Sequence, residues 1–186
     1  MKRIFSFSLI IAAAFVWSCN DTSTKVESAT TENTNSVGQS AVQDSESAKD
    51  VVKVAVGSKD HTTLVAAIKQ AELVDALSNA GPFTVFAPTN EAFDKLPKGT
   101  VDDLMKPENK AKLQDILQYH VYVGIIKPEM LQDGQTLNEV NGGNIRIQKS
   151  TDGKITINNS AHIVASIPAS NGIIHVIDGV LLPPTK

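Results

Sequence analysis

KLQDILQYHVYVG, Lys112 to Gly124, is where helical spacing runs out along this chain. Leu113, Ile116, Leu117 and His120 fall at the i, i+3, i+4, i+7 spacing of one buried helix face, so His120 continues an apolar stripe. It stands between Tyr119 and Tyr122, the only two tyrosines. A histidine flanked by phenols suits a general base, a metal ligand, a partner contact or a satisfied core residue. The stripe favours the core: His120 is expected to be buried, neutral and hydrogen-bonded. Tyr119 lies one position round the helix and is expected to be partly exposed, a position from which tyrosine serves binding well.

Upstream, helical spacing dominates. Leu64, Val65, Ile68 and Ala71 share one face of a helix starting at Thr62, capped by Asp60 or Thr62, and Leu73, Ala76 and Leu77 continue it past a break near Glu72. Gly81-Pro82 makes a turn before the strand Phe83 to Ala87, which Pro88 ends. Asn90, with Glu91 behind it, is the expected cap of a short helix through Leu96. Thr100 caps a further turn, and Pro107 opens the helix that carries His120.

Downstream, period two takes over. Ile145-Arg146-Ile147 and Ile155-Thr156-Ile157 alternate about the turn Thr151-Asp152-Gly153. His162 to Ile167 and Ile173 to Ile177 flank a second turn at Asn171-Gly172, and Pro183-Pro184 stop further pairing. Helices first and strands later predict an α+β domain with a largely antiparallel sheet.

The first 49 residues read differently. Met1-Lys2-Arg3 and the apolar run Ile4 to Trp17 form an export signal, residues 1–18, and the single cysteine follows at position 19. Val16-Trp17-Ser18-Cys19 resembles a bacterial lipobox, which makes Cys19 the lipidated first residue of the mature chain. Acyl chains would then hold it on a membrane, at roughly 0.8 kcal/mol per buried CH₂. From Asn20 to Lys49 there is no aromatic residue and no Leu, Ile or Phe, so residues 19–49 are expected to be a solvated tether and 50–186 the globular domain. The expected location is a bacterial cell membrane, the outer membrane or cell surface before a periplasm-facing site.

Several kinds of chemistry find no support. A net charge of -3 without a basic block past residue 3 argues against nucleic acid. His61, His120, His162 and His175 show no ligand spacing, so no metal or cofactor is expected. His175 shares its strand face with Ile173 and Ile177 and reads as core. No GxSxG elbow or phosphate loop appears.

Three separated blocks do resemble one family. GPFTVFAPTNEAF (Gly81 to Phe93), ILQYHVYVG (Ile116 to Gly124) and NGIIHVIDGVLLP (Asn171 to Pro183) look like the successive motifs of the fasciclin domain. The resemblance implies a wedge-shaped β-sandwich with N-terminal and inserted helices, and an adhesion role toward proteins, matrix or polysaccharide, without enzymatic chemistry. Tyr119-His120 matches the pair implicated in attachment by animal members. Ser166 and Ile167 stand where those members carry an Asp-Ile pair linked to integrin recognition, and the absent carboxylate argues against integrin. Two readings follow: a membrane-tethered adhesion module with Tyr119, His120, Ser166 and Ile167 as candidate partner contacts, or an envelope hydrolase or carbohydrate-active protein with an unrecognised site. A deep cleft with convergent polar groups would mark the second.

Overall fold

A computed structural model of the protein describes residues 48–184. The signal, Cys19 and all of the polar tether except its last two residues lie outside the described residues.

Helix α1 (Val51–Val56) is set by Asp50, whose carboxylate accepts the Lys53 backbone N–H at 2.8 Å. The helical spacing did not point to it, although Val51 and Val52 are core residues. α2 (Thr62–Gln70) and α3 (Val74–Ser78) follow, and the expected break falls at Glu72, which adopts φ 57°. Neither expected cap serves α2. Its Thr63 N–H is bonded instead by the Asn90 side chain at 3.0 Å. Asn90 is free to do so because Thr89, not Asn90, caps α4 (Asn90–Asp94). α5 (Thr100–Leu104) starts after Gly99 in the left-handed region, without the expected Thr100 cap, and a 3₁₀ turn opened by Pro107 leads into α6 (Lys110–Gln118).

The strands are β1 (Phe83–Pro88), β2 (Val121–Val123), β3 (Thr136–Asn138), β4 (Asn144–Lys149), β5 (Ile155–Ile157), β6 (Ala161–Ala169) and β7 (Gly172–Ile177). They form one sheet in the order β2-β1-β7-β6-β5-β4-β3. All neighbours are antiparallel except β1 and β7, which run parallel in the centre. Both central strands are buried on both faces, as parallel strands usually are. Val85, Ala87, Ile174 and Val176 face a core built with α1, α2, α3, α5 and α6. Phe86 and Ile177 face a second core made by Ile145, Ile147, Ile155 and Ile157 from the far strands. The sheet therefore curls over the second core. Its two terminal strands meet where Val140 N–H, just past β3, donates to Val121 O of β2 at 2.9 Å.

Candidate functional site

His120 sits at the corner between α6 and β2 and is 3% exposed. Its Nδ1 lies 2.8 Å from Ile116 O, and a carbonyl only accepts, so Nδ1 carries the proton. Nε2 then accepts the Leu181 N–H at 3.0 Å. The imidazole thus pins the C-terminal segment to the last turn of α6. Burial drives its pKa down to about 4, the Ile116 hydrogen bond acting in the opposite sense. Both nitrogens are used and the ring is neutral, which leaves it neither a free lone pair nor an accessible proton.

Tyr119 corrects the expectation drawn from the helix face. It is 1% exposed and belongs to the second core. The residue is the C-cap of α6, and from there its side chain joins the second core instead of the outer helix face. Its hydroxyl donates to Asn144 O at 2.7 Å and accepts from Asn158 Nδ2 at 3.0 Å. Tyr119 and His120 are thus both covered, and a partner would reach them only after the corner opened.

Ser166 and Ile167 lie on β6, and no hydrogen bond joins them to the corner. Strand register places Ser166 opposite His175. Ser166 Oγ and His175 Nδ1 are 2.7 Å apart, while His175 Nε2 meets Ile126 O at 2.8 Å. The proton is therefore on Nε2, and Nδ1 accepts from the serine. This serine–histidine pair escaped the sequence reading, although equal spacing on either side of Ser170-Asn171 encodes it. His175 is fully buried, its pKa lowered by desolvation and raised in part by the bond to Ile126. Its second partner is a backbone carbonyl, which orients the ring but does not offset the charge of an imidazolium. Ile167 is 36% exposed and borders a small apolar pocket with Val54, Ala55 and His61.

Two further residues carry more than their local sequence suggests. Asn171 accepts Val51 N–H and donates to Leu77 O and Asn79 O, so one amide ties the β6–β7 turn to α1 and α3. Glu139 is 2% exposed, and neither carboxylate oxygen has a hydrogen-bond partner. Desolvation alone pushes its pKa up to about 8. Nothing in NEVNGG marks that burial.

The surface offers little to converge on. The openings include an apolar groove of about 120 Å³ between α3, α6 and β2, and a polar hollow of about 210 Å³ beside Asp60, Thr89, Asn90 and Glu91. Neither contains Tyr119, His120, Ser166 or His175. Among the described residues no three His, Cys, Asp or Glu side chains gather as a metal would require. The polar groups at the corner and on β6 act inward, as braces between elements.

The model of the fasciclin domain matches residues 59–183. The chain belongs to the fasciclin domain family. Protein sll1483 of Synechocystis is 50% identical over 158 residues, covering 85% of each chain. The cell surface glycolipoprotein MPB83 of Mycobacterium bovis is 40% identical over 114 residues, 61% of this chain and 49% of that protein. A solved FAS1 domain pair from the insect cell adhesion molecule fasciclin I superposes with a TM-score of 0.65 at 20% identity, over 72% of this chain and 51% of the pair. That likeness establishes the α+β fold. The fasciclin match begins after α1, so Asn171 attaches to the domain a helix that lies outside the matched residues.

Proposed function

We propose that this fasciclin-domain protein is a lipid-anchored adhesion or binding module of a bacterial cell envelope, held by Cys19 and presenting its domain to a protein or polysaccharide partner. One observation carries the reading: the groups that would do chemistry, His120, Tyr119, Ser166 and His175, are consumed by internal hydrogen bonds and do not converge on a cleft. The cell surface glycolipoprotein MPB83 among the relatives supports export and anchoring. Ser166 and Ile167 are the candidate contacts nearest solvent. In the alternative, a hydrolase, Ser166 would be the nucleophile and His175 its base. Against that stand a base held by a carbonyl and a serine outside both hollows.

Replacing the cysteine tests the anchor. The Cys19→Ala protein is expected to leave the membrane fraction, or to stay unprocessed, while the domain remains folded. A fully processed variant that still sediments with membranes would defeat the lipoprotein reading. Binding of the wild-type chain to isolated envelope polymers and proteins, scored beside Ser166→Ala and Ile167→Ala variants, tests the partner surface.

A further inference from the structure

β2 and β3 stand at opposite ends of the strand order, yet the turn after β3 returns to β2. Beside the bond from Val140 N–H to Val121 O, Asn141 Nδ2 donates to Asp115 Oδ1 at 3.2 Å and Tyr119 donates to Asn144 O. Gly143 lies so close to the Tyr119 ring that a Cβ there would come within 2.7 Å of Cε2. The turn is braced by Glu139 N–H to Gly143 O at 2.7 Å and by Gly142 N–H to Glu139 O at 2.8 Å. Among these satisfied groups the Glu139 carboxyl has no partner.

We propose that this seam is a pH-operated latch: with the Glu139 carboxyl protonated the turn stays closed on β2 and α6, and ionisation drives it outward, breaking the Val140 to Val121 bond. Opening enlarges the apolar groove that Val140 lines together with Leu73, Leu77, Phe83, Leu117 and Val121. An unpaired carboxylate held out of water is strongly disfavoured, whereas the turn is held by a few hydrogen bonds that water can replace. Local opening is therefore the cheaper response.

The groups around the seam leave Glu139 alone in this role. Asp115 on α6 is engaged by Asn141, Tyr119 by Asn144 and Asn158, and Arg146 on β4 is exposed. His120, with its pKa near 4, stays neutral throughout the window. No neighbouring charge contributes to the position of Glu139 near 8, which comes from desolvation. The inference is independent of the adhesion reading.

The test uses the full chain and two NMR measurements between pH 6 and 9.5. The Glu139 carboxyl carbon should titrate with a midpoint near 8. Once exchange is corrected for its intrinsic pH dependence, protection of the Val140 amide should fall by up to about tenfold per pH unit as the pH rises toward that midpoint and level off above it, while amides of β1 and β7, which open only with the whole domain, stay far better protected. In Glu139→Gln, Val140 protection should stay level. A carboxyl midpoint in the ordinary range near 4.5, or a Val140 amide that behaves alike in both proteins, would overturn the latch. Should the variant not fold, the wild-type midpoint and the contrast between Val140 and the central strands still decide.

Discussion

The corner at His120 and the turn at Glu139 touch the same seam, and each hides an ionisable side chain from water. At the corner both ring nitrogens are bonded; at the turn both oxygens are bare. Burial shifts each group toward its neutral form, downward for the histidine and upward for the carboxyl. Burial alone thus says little about what a polar group does for a fold. Its partners decide whether it fastens two elements or loosens one.

Removing the fastener should have the largest effect. His120→Ala leaves a cavity, an orphaned Leu181 N–H and an orphaned Ile116 carbonyl, and is expected to destabilise by about 2–4 kcal/mol at pH 7 in a denaturant titration. The folded pKa lies below the unfolded value of 6.5, so the unfolded chain takes up the proton first. His120 therefore supports the fold above about pH 6.5 and loses that contribution as the pH falls toward 4. The variant should lack this part of the acid sensitivity. A variant as stable as wild type would end the comparison.

Glu139→Gln should move stability the other way. The folded pKa is raised from 4.5 to about 8, so below pH 4.5 both states hold the proton and the burial carries no ionisation penalty. Between 4.5 and 8 the unfolded chain releases its proton while the folded one keeps it, and stability declines. Glutamine cannot ionise. The variant is expected to match wild type at pH 4 and to exceed it by about 1–3 kcal/mol at pH 8, read from unfolding midpoints. A loss of stability at pH 8 would show that the carboxylate has a partner.

Tyr119→Phe sharpens the same contrast at smaller scale. The ring remains, but Asn144 O and Asn158 Nδ2 each lose a bond. The expected loss is about 1 kcal/mol in a denaturant titration. A loss above about 3 kcal/mol would mean that the hydroxyl organises the whole seam.

Local patterns carried the reading of the chain a long way. The stripe through His120 and the alternation in β4 and β5 depend on residues a few positions apart, and the structure reproduces them, while the second turn falls one residue earlier than expected, at Ser170-Asn171, because Gly172 already pairs with Ala169 as the first residue of β7. What stayed hidden depends on distant partners. β2 and β3 are three residues each, too short for a period to register, and each buries a single residue, Val121 in the first core and Leu137 in the second. Tyr119 was misjudged because a helix wheel assumes the helix goes on, whereas it ends at Gln118. Asn90 looks like a local cap, yet it serves α2 across the fold. The serine–histidine pair needed the hairpin register, and the Glu139 site needed the closed sheet.

The parallel pairing of β1 with β7 also sets an order of events. Phe83 waits for Gly172 and Pro88 for Ile177, so the centre of the sheet, although it holds the first strand, closes only after every other strand has left the ribosome. Such distant pairing slows folding, toward the millisecond-to-second range of chains dominated by non-local contacts. Until β7 arrives, Phe83 to Ala87 is an apolar, β-prone run without its central partner. Such a run is exposed to wrong pairing with another copy.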